Sequence, residues 1–259
     1  MTTRGALRYF ETRARVYRHV WRGSMISTFL NPIMFLAAMG LGLGSLVDEG
    51  PGAATLEGVS YLAFLAPGLM AATAMQAAAG DSSWPVMAGI KWLKTYDAAL
   101  ATPVGVPDLV TGHVAFVTVR VVFASGVYGL IAAGFGALSV PSALLATLPA
   151  GLTGLAFAAP VTAYTASLQR ETGLTALFRF GIVPMFLFSG TFFPISQLPG
   201  YMQPLAYLTP LWHGVELTRA AALATSPAWN PVAHVLVLIV FTVAGTILAI
   251  RQLGGRLIT

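Results

Sequence analysis

Apolar residues gather along the chain in six long stretches, about 25–47, 59–80, 110–135, 142–168, 176–196 and 231–250. A helix crosses the hydrocarbon core with roughly 20 mostly apolar residues, so each stretch is long enough to span. A backbone in lipid must satisfy its own hydrogen bonds. The pattern therefore predicts an all-α integral membrane fold with six transmembrane helices. Every stretch contains Gly or Pro. Gly40 with Gly44, and Ala150, Gly154 and Ala158, recur at every fourth residue, a spacing that lets helices approach closely. Pro32, Pro160 and Pro184 predict kinks.

Three segments outside the spans carry patterns of their own. In residues 4–22, Arg4, Arg8, Glu11, Arg15, Arg18 and Arg22 recur at alternating spacings of four and three. Leu7, Phe10, Ala14, Tyr17 and Trp21 do the same on the opposite face. Two such faces predict an amphipathic helix lying in the membrane interface, its arginines toward lipid phosphates or an acidic partner. Residues 81–107 are too short and polar to span, yet too apolar for a solvated loop. Trp84-Pro85 and Pro103 bracket a helix there, with Val86, Ile90, Leu93 and Asp97 near one stripe. Such a helix suits docking of another protein or contact with lipid. Residues 197–230 form an apolar segment, rich in Leu, Tyr and Trp, that prolines break too often for it to span. A segment of this kind lies in the interface or dips into the bilayer.

Charge then orients the spans. With the N-terminus inside, the cytoplasmic segments hold Arg4, Arg8, Arg13, Arg15, Arg18, Arg22, Lys91, Lys94, Arg170, Arg179, Arg251 and Arg256, twelve of the fourteen basic residues. The first external loop carries Asp48, Glu49 and Glu57 and no basic residue. Excess Lys and Arg mark the cytoplasmic side, so both termini are expected in the cytoplasm of a multi-pass cell-membrane protein. Only 9% of residues are charged and 56% are hydrophobic, far from a soluble composition. The net charge of +5 is thus a membrane-topology signal and not a sign of nucleic-acid binding. The chain has no Cys, which excludes disulfides and thiolate metal sites.

Catalytic signatures are missing. There is no G-x-x-x-x-G-K-[ST], no H-E-x-x-H and no G-x-S-x-G, and only two lysines. Any use of ATP must come from a partner. His213 and Glu216 could share a helix face, as a polar pair satisfied by water, as metal ligands or as an acid/base pair. Arg120 falls within a span, and a charge at that depth is expensive. Either it snorkels to the inner headgroups, because the uncharged stretch 121–138 crosses most of the membrane alone, or it meets an anionic substrate head group.

In combination these segments resemble the permeases of type 2 ABC exporters, especially the nodulation lipo-oligosaccharide and daunorubicin-resistance branches. The resemblance rests on YLAFLAPGLMAATAMQAA at 61–78 with WPVMAGIKWLKTYDAALATPV at 84–104, FLFSGTFFPISQLP at 186–199, and PLWHGVELTRAAAL at 210–223. It implies an amphipathic connecting helix over residues 1–22 and a single permease domain over 23–259. The connecting helix would present Arg4, Arg8, Phe10, Arg15, Tyr17, Arg18, Trp21 and Arg22. A coupling helix would lie at about 86–101 between spans two and three, with Ile90, Lys91, Trp92, Lys94, Tyr96 and Asp97 as ATPase contacts. Re-entrant external helices before span six, at about 198–226, would form an exit gate from Pro199, Pro204, Pro210, His213, Glu216 and Arg219. The expected partners are two copies of a cytoplasmic ABC ATPase, a second permease chain (identical or a close paralogue) and membrane lipids. ATP and Mg would sit on the ATPase, and this chain would bind no cofactor and be no enzyme. The cargo would be an amphiphile: a lipid, a glycolipid or lipo-oligosaccharide, or a hydrophobic drug. A secondary carrier would need carboxylates deep in the spans, and a lipid-modifying enzyme would need clustered catalytic residues at one membrane face. The sequence offers neither beyond His213 with Glu216.

Overall fold

The computed structural model of the protein describes residues 3–50, 56 and 58–257. Glu57, expected in the first external loop, lies outside them. Every regular element among the described residues is helical. α1 (Thr3–Phe35) continues through a π-helical stretch, Leu36–Leu43, into α2 (Gly44–Asp48). α3 (Tyr61–Ser82) is followed by the short α4 (Trp84–Lys91) and α5 (Thr95–Leu100). Two long helices come next, α6 (Val106–Gly134) and α7 (Val140–Ser167). α8 (Thr172–Leu177), a π-helical turn at Phe178–Ile182 and α9 (Val183–Phe188) form one run. α10 (Gln203–Tyr207), α11 (Pro210–Leu223) and α12 (Pro231–Leu257) complete the chain.

Five segments among the described residues are long and apolar enough to cross a membrane: Thr28–Asp48, Tyr61–Lys91, Val106–Gly134, Val140–Ser167 and Pro231–Leu257. The sixth stretch, expected at 176–196, is the shorter helical run Thr172–Phe188. It stops where Gly190 takes φ +80°, a left-handed conformation that glycine adopts without strain. Backbone hydrogen bonding widens in the turn before Pro184, which the proline ring disturbs, and again at Leu36–Leu43, four residues past Pro32.

The helix starts follow ordinary local chemistry. Ser60, Ser139 and Thr209 each accept a hydrogen bond from the backbone N–H three residues on, at 3.3 Å. Pro141 and Pro210 follow the last two caps within the first turn, where no N–H is needed. Asp108 reaches back to the Gly105 N–H at 3.2 Å and closes the start of α6.

α7 is the hub, packed against α3, α6, α11 and α12. Small side chains make this possible. Ala150, Gly154 and Ala158 are all buried, and a Cβ on Gly154 would meet the Val121 side chain at 2.5 Å. Gly214 of α11 lies against Thr153, and Gly245 of α12 against Pro160. Of the pair in the first span, Gly40 faces Leu62 while Gly44 has no atom within 4 Å of a would-be Cβ.

The bundle has two chemically distinct ends. The first turns of α1 and α6, the end of α3, α4, α5, the end of α7 and the end of α12 share one, here called the basic end. Arg256 closes it by donating to the carbonyls of Ala166 and Leu168 at 2.9 and 2.6 Å. The turns at 189–209 and the start of α12 lie at the other.

Candidate functional site

At the basic end α1 does not end at residue 22. It is unbroken from Thr3 to Phe35, so the boundary expected between a connecting helix and the permease domain falls inside one rod. Its first half lies along α6. Phe10 and Tyr17 both meet the Phe116 ring edge-on, at 5.9 Å. A Cβ on Gly112 would sit 2.6 Å from the Ala6 carbonyl. The aromatic face therefore packs on protein, and Tyr9, which belongs to neither sequence stripe, is its most buried member. Arg4, Arg8, Arg15, Arg18 and Arg22 are exposed on the far face, and the two ends of the apolar stripe, Leu7 and Trp21, are exposed as well.

The segment expected as one coupling helix at 86–101 is two short helices. The break is at Lys94, which takes φ +52° although it is not a glycine. The six residues named from sequence divide accordingly. Ile90 and Tyr96 are buried and anchor the segment. Tyr96 packs 6.1 Å from the Tyr9 ring of α1, and Gly89 has room only for a hydrogen above it. Lys91 bonds Glu171 across the gap to the α7–α8 turn at 2.5 Å, and that hydrogen bond holds the Glu171 carboxyl below its usual range. Lys94 pairs with Asp97 at 3.4 Å, both in solvent. Trp92 and Leu93, at the turn itself, are 54% and 69% exposed, and Trp84 is 47% exposed. Trp92 and Leu93 form an apolar tip, flanked by the Lys91 ammonium 5.9 Å from the Trp92 ring, and Trp84 is a second exposed ring at the start of α4. Leu93 and Trp84 were not among the contacts named from sequence.

Behind this tip lies an ion pair. Arg120 bonds Asp81 at 2.5 Å, and its guanidinium lies 5.4 Å from the centre of the Tyr17 ring. The two charged side chains are 27% and 12% exposed. Neither sequence reading of Arg120 included Asp81. The available signal was the cost of a lone arginine in a span, which demands a counter-ion at the same depth.

The opposite end is capped by α10 and α11. Pro199 is exposed in the turn before α10, Pro204 is exposed in the first turn of α10, and Pro210 is buried at the start of α11. His213 does not pair with Glu216. Its Nδ1 lies 2.9 Å from Nδ1 of His234 on α12, inside a cage of Tyr207, Trp212 and Trp229. Burial, with His234 beside it, pushes His213 down to about 4. Glu216 accepts the Ala228 N–H at 2.8 Å and faces Arg219 at 3.5 Å. Arg219 donates to the Gly190 carbonyl at 2.8 Å, and its guanidinium lies 3.9 Å over the Phe64 ring of α3. These contacts tie α11 to the turn after α9 and to α3. A cavity of about 340 Å³ lies beneath, lined by Phe64, Gly190, Pro194, Tyr207, Glu216 and Arg219 among others. Among the described residues no group of three potential metal ligands comes together.

Comparison with known proteins places these features in a lineage. Residues 11–223 match the family described as ABC-2 type transporter. Nodulation protein J of Sinorhizobium fredii (strain NBRC 101917 / NGR234) is 32% identical over 243 residues, covering 92% of this chain and 90% of that protein. Nodulation protein J of Rhizobium meliloti (strain 1021) is 31% identical over 241 residues, covering 93% and 89%. Inner membrane transport permease YadH of Escherichia coli (strain K12) is 22% identical over 195 residues, covering 75% and 73%.

Proposed function

The chain belongs to the ABC-2 type transporter family, and from that premise we propose that it is the permease subunit of an ATP-driven exporter of amphiphiles. It is a multi-pass membrane protein. In this reading the basic end faces the cytoplasm, and both termini lie there. Two copies, or one copy and a close paralogue, pair in the membrane, and each receives one ATPase subunit. ATP and Mg belong to that partner, because the sequence holds no P-loop. The cargo is a lipid, glycolipid or hydrophobic drug, and it leaves beneath the cap of α10 and α11.

The observation that carries the reading is the apolar tip at Trp92 and Leu93, with Trp84 exposed at the other end of α4. Exposed aromatic and aliphatic side chains on a rigid turn are what a helix-in-groove contact uses as anchors. The tip is wired inward. α5 grips α1 through Tyr96 and Tyr9, and Lys91 grips the α7–α8 turn through Glu171. A push on the tip therefore reaches two long helices at once.

The test is co-purification with a co-expressed ABC ATPase subunit, and ATP hydrolysis by the complex in lipid. Trp92→Ala with Leu93→Ala should reduce association at least tenfold, the scale of a lost interface anchor of about 2 kcal/mol. Lys91→Glu alone should also weaken it, and Lys91→Glu with Glu171→Lys separates the two roles of that lysine. Restoration by the swap means the ion pair holds the segment in place, whereas continued loss means the ATPase reads Lys91 itself. Normal association of the Trp92/Leu93 variant would overturn the assignment of the coupling surface.

A further inference from the structure

A polar cavity of about 250 Å³ opens between α1, α3 and α6, with Arg120 in its wall. Its walls include Asn31, Thr73, Gln76, Arg120, Ser125 and Tyr128. All six positions belong to segments long and apolar enough to span. From Arg120 to Tyr128 the cavity climbs eight residues of α6, about 12 Å at 1.5 Å per residue, so it runs from the arginine's level well into the hydrocarbon. Lipid tails cannot answer hydrogen-bonding groups at that depth, and leaving them unanswered costs several kcal/mol each. The Tyr128 hydroxyl is buried and has no hydrogen-bond partner among the described residues. Asn31 and Gln76 are exposed on the walls.

The charge on the walls is already balanced. Arg120 is the one ionised side chain lining the cavity, and Asp81 holds it at 2.5 Å while Tyr17 covers its face. The other polar groups on the walls are amides and hydroxyls, which donate and accept but carry no net charge; Thr73 donates to the Met70 carbonyl at 3.0 Å and keeps its acceptor capacity. The volume is below that of pockets that enclose a whole drug-sized ligand, so the cavity suits a head group whose tail stays in lipid.

We propose that this cavity binds the uncharged, hydroxyl- or amide-rich head of an amphiphile, with its tail lying in the bilayer. The proposal rests on the exporter reading for its biological sense, but its test does not need the ATPase. Three fluorescent probes of one tail length would be titrated onto the purified full chain in lipid nanodiscs: an alkyl glucoside, an alkyl phosphate and an alkyltrimethylammonium. Empty nanodiscs give the background partitioning. The glucoside should bind saturably and most tightly. Tyr128→Phe should weaken it about threefold to tenfold, the range of one lost neutral hydrogen bond. A purely structural tyrosine would show no such effect, because the hydroxyl has no partner to lose. Asn31→Leu should weaken binding similarly, and Thr246→Val on α12 should leave it unchanged. The proposal is overturned if no probe saturates, if Tyr128→Phe binds the glucoside normally, or if the phosphate binds tightest and Arg120→Gln removes it. Lack of association with any ATPase would count against the exporter reading and leave this result intact.

Discussion

Replacing Asp81 with Asn removes the carboxylate that answers Arg120 and keeps the shape of the site. The pair is mostly buried, with 27% and 12% of the two side chains exposed. Its attraction at contact is about 4 kcal/mol with an effective dielectric of 20. Breaking a buried pair by removing one partner typically costs about 3–5 kcal/mol, because an uncompensated charge is left behind. The residual exposure of Arg120 points to the lower end, about 3 kcal/mol. Arg120→Gln should be milder, since an orphaned carboxylate can take up a proton while a guanidinium cannot lose one. The double variant Asp81→Asn with Arg120→Gln leaves two neutral hydrogen-bonding groups and should recover at least half of the loss. The assay is equilibrium unfolding of the four proteins in mixed micelles, followed by far-UV circular dichroism and read as a double-mutant cycle. A coupling energy below about 0.5 kcal/mol would refute the reasoning, as it would mean that water or lipid phosphate already neutralises each charge separately.

Two further outcomes follow from the packing and the cap. Gly112→Ala puts a Cβ 2.6 Å from the Ala6 carbonyl, a backbone atom that cannot swing aside, so α1 must shift off α6. We expect a loss of about 1–3 kcal/mol, as for overpacking, and faster proteolysis within residues 4–22. His213, held at about 4, takes up its proton only below that pH, whereas the unfolded side chain does so near 6.5. The unfolded state therefore binds more protons between these values, and stability contributed by the His213–His234 contact is present above 6.5 and falls as pH drops toward 4. Melting temperature should decline through that window, and His213→Gln should flatten the decline.

The long apolar runs were legible because hydropathy is a local property; the helix starts are equally local in their chemistry, although the span boundaries were not drawn from them. Ser139 with Pro141, and Thr209 with Pro210, announce helices within three residues of chain. The run near 176–196 was legible in content but not in extent, since its end depends on the backbone taken up by Gly190. The break at Lys94 has no signal: neither Gly nor Pro stands there, and the left-handed residue is a lysine. Periodicity in 4–22 located an apolar face correctly in kind, but a stripe of Phe10 and Tyr17 suits lipid and a neighbouring helix equally. α6 supplies the neighbour through Gly112 and Phe116. The polar partners were the least legible part. Arg120 and Asp81 are 39 residues apart, and His213 and His234 are 21 apart. Only the packed bundle brings such pairs together, and no spacing rule within one helix reaches that far.

The unbroken course of α1 has a mechanical meaning. From Arg8 at the basic end to Asn31 on the cavity wall, 23 residues make a stiff lever about 35 Å long. A tilt of about 5° at one end of such an arm displaces the other by about 3 Å, roughly the width of a water molecule. The widened turns of Leu36–Leu43 begin just past Asn31 and Pro32. The hydrogen-bonding pattern of the arm thus changes before Gly44–Asp48. Motion delivered at the arginine-bearing end would be converted, at the level of Asn31, into opening or squeezing of a polar chamber set into the bilayer.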